Sequence, residues 1–430
     1  MFESLWRVFS NADLRRRVLF TLGVLSVYRI GIYVTLPGVD RKALRDSIAG
    51  DTDAGLLGIF NLFSGGALEK ASIFALGVMP YVSASIILQL LSSVYRPLEE
   101  LRKEGEAGQR KINQYTRYGT VVLALAQGWG TTVWLESQRA QELLSVVREP
   151  GWGFRLMTML TLATGTVFVM WLGEQITERG IGNGTSLVIF TGIVADFPTA
   201  VGQLSQAFKS GQVQPLTLFV AAAIIIGTVA VIILFERGQR RIPIEYSRRI
   251  VGRKMYGGQR THLPLKVNAS GVIPPIFAST MLVLPNSLAG MSIPGMDDLR
   301  DVLLRGGWVY NSAFVLLTVF FCYFYTAVQF PPVDVADGLK KQGAFIPGVR
   351  PGKATAEFIE KVLMRVTAGG AIYVALVCII PDFLRTTFRL ALPFGGTSIM
   401  IVVGVAIDTV NQVESYLISE NYEGARTTAL

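Results

Sequence analysis

The chain has 430 residues, of which 51% are hydrophobic and only 17% carry a charge, and its formal net charge is +9. Typical soluble domains carry about 25% charged residues, so this composition excludes an ordinary soluble protein and indicates a membrane protein. The two cysteines, Cys322 and Cys378, and the one histidine, His262, cannot supply the four converging ligands of a structural zinc site. We therefore predict no metal and no cofactor.

Apolar stretches of about 20 residues recur along the chain, which is the length that an α-helix needs to cross a hydrocarbon core. The first span follows Arg15, Arg16 and Arg17 and lacks a small-residue cleavage pattern, so we expect it to be retained. The ten predicted spans are residues 18–36, 72–91, 115–135, 154–173, 185–204, 216–235, 271–290, 308–329, 366–384 and 397–413.

Positive charge alternates between the loops that connect these spans. The two termini and the loops on their side carry 26 Lys and Arg residues, whereas the other five loops carry 11. Because cytoplasmic loops carry the excess of positive charge, we predict that the N-terminal segment 1–17 and the tail 414–430 both lie in the cytoplasm.

The external loop 37–71 contains an apolar run, 56–63, that is too short to cross a bilayer. Ser64, Gly65 and Gly66 end this run, which indicates a short helix followed by a turn. The segment either re-enters the membrane beneath a covering cavity or lies on the surface as an amphipathic helix.

The spans divide into an N-terminal half, 18–204, and a C-terminal half, 216–413, joined by an external linker, 205–215. Each half has five spans, and an odd number inverts the second half relative to the first, as in membrane proteins built from inverted repeats. No residue-level repeat is visible between the halves, so the count permits this symmetry without requiring it.

Two large cytoplasmic loops, 236–270 and 330–365, carry much of the positive charge. Residues 237–266 include nine basic residues and a single acidic one, Glu245. Such a surface suits an acidic partner, either an RNA-rich particle or an acidic motor protein. Simple solvation and attraction to anionic lipids are the alternatives.

Enzyme motifs are incomplete in this sequence. Residues 348–354 (GVRPGKA) have three intervening residues where a phosphate-binding loop has four, and they lack its Ser or Thr. Any energy source is therefore predicted to be external. Arg29, Asp196 and Asp408 are ionisable residues in predicted spans, but they form no visible cluster of the kind an ion-coupled transporter needs.

Seven blocks of the sequence resemble the bacterial SecY family of protein-conducting channel subunits. The resemblance covers nearly the whole chain. The blocks are SGGAL at 64–68, FALGVMPYVSASIILQLL at 74–91, MWLGEQITERGIGNG at 170–184, RGQRR at 237–241, THLPLKVN at 261–268, GAFIPGVRPG at 343–352 and FGGTS at 394–398.

This resemblance implies an all-α polytopic membrane protein whose ten transmembrane helices form two pseudo-symmetric five-helix halves, arranged as a clamshell around a central pore. It implies a passive channel, not an enzyme, that passes unfolded secretory polypeptides across the bacterial inner membrane and releases apolar segments sideways into lipid. The implied partners are SecE-like and SecG-like membrane subunits, a SecA-type motor ATPase, the ribosome and anionic lipids.

The resemblance also implies a ring of residues at the pore constriction. Residues four apart share a helix face, and branched aliphatic side chains exclude water from a narrow pore. Thr185 departs from the family's usual aliphatic residue. The implied ring is Val78, Val82, Thr185, Ile189, Ile276 and Ile401.

Three further sets of residues follow from the resemblance. The plug that would block the outer funnel comprises Leu56, Leu57, Gly58, Ile59, Phe60, Asn61, Leu62, Phe63, Ser64, Gly65 and Gly66. Polar residues along a lateral gate would be Ser83, Gln127 and Asn286, with isolated or helix-bonded polar groups as the alternative interpretation. The motor or ribosome would dock on Arg240, Arg241, Arg248, Arg249, Arg253, Lys254, Arg350 and Lys353.

Two other classes of protein fit part of the pattern. The span count is also compatible with a ten-helix secondary transporter for a small solute, and so are the prolines that weaken regular helix in the predicted spans, which are Pro80, Pro198, Pro274, Pro275 and Pro285. A membrane scaffold without a pore would show no ion conductance in any variant.

Overall fold

The computed structural model describes residues 11–44, 64–137, 139–140, 144–211, 214–246, 249–251, 254–256, 260–288, 308–388 and 396–427. Helices dominate this part of the chain. Its first six helices are α1 (Ala12–Gly31), α2 (Met79–Val94), α3 (Arg96–Lys103), α4 (Glu106–Ser137), α5 (Trp152–Arg179) and α6 (Gly184–Lys209). The next six are α7 (Pro215–Arg237), α8 (Ile273–Leu288), α9 (Trp308–Gln329), α10 (Pro332–Lys341), α11 (Lys353–Phe388) and α12 (Gly396–Thr427).

Every predicted span coincides with one of these helices over most of its length, and α3 and α10 are additional short helices in loops that were predicted to be cytoplasmic. Within the described residues, six helices are long and apolar enough to cross a membrane, namely those that contain predicted spans 4, 5, 6, 8, 9 and 10. Helices α2 and α8 are apolar but shorter. Helices α1 and α4 each begin with a charged stretch, ADLRRR and EAGQRK.

The start of the second predicted span was wrong, because residues 72–78 form turns and helix α2 begins at Met79. Within this stretch the amides of Ala75 and Gly77 donate to the carbonyls of Ser72 and Phe74 in turns, and a short antiparallel bridge joins its start to the end of the first span. The amide of Ile73 donates to the carbonyl of Val34 at 3.0 Å, and Leu36 donates to Ala71 at 2.7 Å. High hydropathy predicts burial, and residues 72–78 are indeed mostly buried. Hydropathy does not, however, distinguish a buried turn from a buried helix.

The two basic loops that were predicted to be cytoplasmic contribute to one small sheet. Strands β3 (Gln239–Tyr246) and β6 (Arg260–Lys266) of the first loop pair antiparallel, and β7 (Ala344–Phe345) of the second loop pairs with the end of β3. A core of Ile242, Leu265, Ile346, Ile359 and Leu363 lies beneath this sheet and reaches helix α11. The remaining short strands are β1 (Arg139–Ala140), β2 (Leu144–Ser145), β4 (Arg249–Val251) and β5 (Lys254–Tyr256).

The chain divides into two compact units. Unit 1 comprises Met1–Ser210, Ser279–Asn311 and Val405–Leu430, and unit 2 comprises Gly211–Ala278 and Ser312–Gly404. The boundary at Ser210 falls inside the predicted linker 205–215. The predicted halves 18–204 and 216–413, the predicted linker 205–215 and the predicted tail 414–430 remain predictions.

Candidate functional site

Two residues of the predicted ring lie at the beginning of helix α2. Val78 is the N-cap residue of this helix, and the amide of Val82 donates to the carbonyl of Val78 at 3.0 Å, so the two side chains occupy adjacent turns of one face. They are 1% and 8% exposed. Pro80 occupies the first turn, where its missing N–H leaves no helical hydrogen bond unmade.

Two more ring residues, Thr185 and Ile189, lie in the first turns of helix α6. Asn183 caps this helix, since its side-chain oxygen accepts a hydrogen bond from the amide of Ser186 at 3.3 Å. Ile189 is buried, whereas Thr185 is half-buried. The ring position that carries a hydroxyl is therefore also the more accessible of the two.

The start of α6 is fixed by a close backbone approach to α5. A side chain on Gly184 would overlap the carbonyl oxygen of Gly173, so only glycine fits at this position. The hydroxyl of Thr177 accepts a hydrogen bond from the amide of Gly184 at 2.9 Å. Together these contacts determine where Thr185 lies.

The loop before α6 is anchored by two distant helices. The hydroxyl of Thr21 on α1 accepts from the amide of Ile181 at 3.1 Å, and the Oε1 atom of Gln412 on α12 accepts from the amide of Gly182 at 2.8 Å. Sequence reasoning missed Thr21, Thr177 and Gln412. Thr21 and Gln412 are polar residues within predicted spans, which is the only signal that the sequence offers. That signal does not reveal their partners, which lie 160 and 230 residues away in the chain.

In unit 2, the remaining ring residues lie near the beginnings of α8 and α12. Ile276 is 6% exposed and Ile401 is 1% exposed. The loop before α8 is held by Asn268, whose amide nitrogen donates to Glu236 Oε1 at 2.6 Å and to the carbonyl of Gly271 at 3.0 Å. Asn268 lies in the block THLPLKVN, but its anchoring role was not predicted.

All six ring residues lie in the first turns of a helix or at its N-cap, and five of them have purely aliphatic side chains. Such side chains exclude water and offer no hydrogen bond to a passing group. Four belong to unit 1 and two to unit 2, so their closure into one ring remains a prediction.

The predicted plug falls mostly outside the described residues. Leu56, Leu57, Gly58, Ile59, Phe60, Asn61, Leu62 and Phe63 are not part of what the structure describes, whereas Ser64, Gly65 and Gly66 are buried. Gly65 and Gly66 both have a left-handed backbone, with φ of 65° and 77°, and Tyr28 and Arg29 of α1 contact this turn.

Two of the three predicted gate residues can be described. Ser83 is buried and donates to the carbonyl of Met79 at 2.9 Å, one turn back in its own helix, which is the helix-bonded alternative. Gln127 on α4 is 3% exposed, and its Oε1 atom has no hydrogen-bond partner within the described part of the chain. Asn286 lies on α8, but the structure does not describe its side chain.

The predicted docking residues that can be described are all exposed. Arg240 and Arg241 lie on β3, Arg350 lies at the turn that precedes α11, and Lys353 is the first residue of α11. The carbonyl of Arg350 accepts a hydrogen bond from the hydroxyl of Thr355 at 2.8 Å, which fixes the turn. Arg249 and Lys254 lie on β4 and β5 with side chains outside the description, and Arg248 and Arg253 are outside the described residues altogether.

A family model for SecY matches residues 72–410 of this chain. The chain belongs to the SecY family. Among curated relatives, the protein translocase subunit SecY of Rickettsia conorii is 48% identical over 96% of both chains. The protein translocase subunit SecY of Escherichia coli K12 is 46% identical over 96% of this chain and 94% of its own. The predicted family is thus confirmed.

Solved structures match this chain over nearly its whole length. One, described as the structure of a protein-conducting channel, has a TM-score of 0.65 at 17% identity and covers 94% of this chain and 93% of its own. Sec61 in the canine ribosome–channel complex has a TM-score of 0.61 at 15% identity, with the same coverage. The predicted helical channel fold is confirmed.

Metal ligands do not gather in the described part of this SecY-family chain, where no group of three His, Cys, Asp or Glu residues lies close enough to hold an ion. Cys322 and Cys378 are both buried.

Proposed function

We propose that this chain is the channel subunit of a bacterial protein translocase, through which unfolded polypeptides cross the inner membrane. The observation that carries the proposal is the ring set: five buried aliphatic residues and one threonine, each at the beginning of a helix that backbone or side-chain contacts hold in place. We assign this set to the narrowest part of the pore because of the resemblance to the family.

The chemistry of the ring suits a pore of low selectivity. Aliphatic side chains make no specific hydrogen bonds, so an extended polypeptide of any sequence meets nearly the same wall. At rest, the same side chains exclude water and thereby oppose ion flow. The channel supplies no chemical step, and its partners supply the energy.

A plug at 56–66 completes the seal in this proposal. A solved SecY structure with a TM-score of 0.64 to this chain is described as showing that the plug domain stabilises the closed state and maintains a membrane seal. In this chain the buried turn 64–66, fixed to α1, is the described end of the same segment.

Apolar segments of a passing chain leave sideways into lipid past Ser83, Gln127 and Asn286 in this proposal. Polar side chains between helices contribute about 0.6 to 2 kcal/mol each in membranes, which is enough to alter how readily a gate opens. The buried Gln127 supports such a role better than Ser83, which bonds to its own helix.

A SecA-type motor ATPase or the ribosome docks on the cytoplasmic basic surface in this proposal, and SecE-like and SecG-like subunits and anionic lipids surround the channel. The exposed Arg240, Arg241, Arg350 and Lys353 provide positive charge for an acidic partner. Both termini lie in the cytoplasm, as the distribution of Lys and Arg predicts.

Crosslinking of a stalled export intermediate tests the proposed path. A photoreactive amino acid at Ile189 or Ile276 should form crosslinks to the translocating chain, because both positions are assigned to the ring. The same group at Phe219 on α7, which is 73% exposed, is the control and should label lipid. Crosslinks from Phe219 without any from Ile189 or Ile276 would overturn the proposal.

Single-channel recording separates the proposal from the other two classes of protein. Deleting 57–63 should raise the resting ion conductance if a plug seals a pore. A scaffold would show no conductance in any variant, and a secondary transporter would instead show ion-coupled uptake of a small solute.

A further inference from the structure

The turn formed by Ser64, Gly65 and Gly66 is held by two consecutive residues of α1. The hydroxyl of Tyr28 donates to the carbonyl of Ser64 at 3.2 Å, and Arg29 Nη1 donates to the carbonyl of Gly65 at 2.9 Å. Tyr28 is fully buried. Both bonds are made to the backbone, so they hold the position of the chain rather than of any side chain.

Helix α6 contacts the same turn from another side. A Cβ atom on Gly65 would lie 2.6 Å from the Cα atom of Gly192, so any larger residue would push the turn away from α6. A Cβ atom on Gly66 would lie 3.6 Å from Asp196 Oδ1. The turn is thus seated between α1 and α6 with no space for a side chain at Gly65.

An ion pair joins α1 and α6 beside turn 64–66. Arg29 Nη2 lies 3.9 Å from Asp196 Oδ1, and the two side chains are 24% and 32% exposed. Ionisable residues within membrane spans are costly and usually functional. Asp196 also lies seven residues after Ile189, two turns along the same face of α6, so the pair and the ring residue share one rigid element.

We propose that Arg29 and Asp196 are positioning residues that clasp turn 64–66 between α1 and α6 in the resting channel, and that the strength of this clasp sets the resting ion leak. The proposal rests on the proposed function, because it assigns a role to the turn only if the channel seals at rest. Asp196 holds the guanidinium of Arg29 in place, and Arg29 holds the backbone of the turn.

Removing the charge of Asp196 is the direct test. Asp196→Asn keeps the shape of the side chain but removes the counter-charge of Arg29, so the resting conductance should rise roughly two- to fivefold, the range expected for a partly exposed ion pair. Asp196→Glu restores the charge and should return the leak towards the wild-type level. Asp334→Asn on α10, an exposed carboxylate outside the clasp, should leave the leak unchanged.

Release of the turn itself is measured by thiol labelling. Ser64 is fully buried, so Ser64→Cys, in a background with Cys322 and Cys378 replaced by alanine, should react slowly with a membrane-impermeant maleimide. Adding Asp196→Asn should speed the reaction by a similar two- to fivefold factor. Gly65→Ala, which unseats the turn without changing any charge, should speed it at least as much.

Combining Asp196→Asn with deletion of 57–63 separates the two proposals. If the clasp acts through the turn, Asp196→Asn should add no leak once the deletion is present. If the deletion alone leaves the leak unchanged, the sealing role of the plug fails, while the maleimide labelling of the Ser64→Cys variant still tests the clasp. If the deletion raises the leak but Asp196→Asn changes neither leak nor labelling, the clasp is overturned.

Discussion

At the scale of single residues, Thr185 is the predicted ring position that combines a hydroxyl with partial exposure. A hydroxyl in an otherwise aliphatic constriction gives water a hydrogen-bonding site, so we expect Thr185→Ile to lower the resting ion leak of the channel. Single-channel conductance in planar bilayers measures this effect. Thr164→Ile, on the exposed face of α5, is the matched control, and an unchanged leak in Thr185→Ile would contradict the wetting role.

Gln127 offers a second prediction at this scale. Its buried Oε1 atom lacks a partner among the described residues, and leaving such a group unsatisfied costs about 1–3 kcal/mol. Gln127→Leu should therefore raise thermal stability and also strengthen the apolar packing of the closed gate. A nascent segment should then need greater hydrophobicity to enter lipid.

An insertion assay with a graded series of Leu/Ala segments measures that threshold. Thr116→Val, also on α4, is the control, since its buried hydroxyl donates to the carbonyl of Ile112 one turn back and Thr116 is not a predicted gate residue. Asn286→Leu should shift the threshold in the same direction as Gln127→Leu. A threshold that does not move in Gln127→Leu would exclude this residue from the gate.

At the scale of elements, the contact between α5 and α6 positions Thr185 and Ile189, which are two of the four predicted ring residues in unit 1. A methyl group on Gly184 would overlap the carbonyl of Gly173, and overpacking of this kind costs about 1–3 kcal/mol. We expect Gly184→Ala to lower the melting temperature in detergent and to raise the resting leak, because the beginning of α6 carries Thr185.

Gly202→Ala on the same helix provides the comparison. A Cβ atom there meets nothing within 4 Å, and alanine favours helix by about 0.5–1 kcal/mol, so stability should stay equal or rise slightly. Equal behaviour of the two variants would show that the close approach of α5 and α6 does not position the ring.

At the scale of the whole molecule, positive charge is concentrated on the two predicted cytoplasmic loops, where the small sheet brings β3 and β7 together. Arg350 is exposed at the Pro-Gly turn before α11. The hydrogen bond that the structure describes for this residue is accepted by its carbonyl and does not involve its side chain. We expect Arg350→Glu to reduce motor-driven export into membrane vesicles about tenfold by weakening contact with an acidic partner, while the folded channel and its melting temperature stay unchanged.

Lys341→Glu on α10 makes the same change in net charge at another exposed position of this loop. It should have a much smaller effect on export. An equal loss in both variants would mean that the loop acts through its total charge and not through Arg350.

Much of the architecture could be predicted from local pattern, because a membrane span must be long, apolar and internally hydrogen-bonded. All ten spans correspond to helices for this reason. The failures lie at span ends: residues 72–78 are as buried as a helix but form turns whose start is bridged to residues 34–36, and no property of a single segment reveals such a partner.

The sequence by itself determined the membrane class, the number of spans, the family and the predicted ring positions, since each depends on composition, period or an ordered motif. Only the tertiary structure decided what holds those positions: Thr21 and Gln412 on the loop before α6, Asn268 before α8, and Arg29 with Asp196 around turn 64–66. These contacts join residues far apart in the chain, and a single polar residue within a span is compatible with many partners until the helices pack.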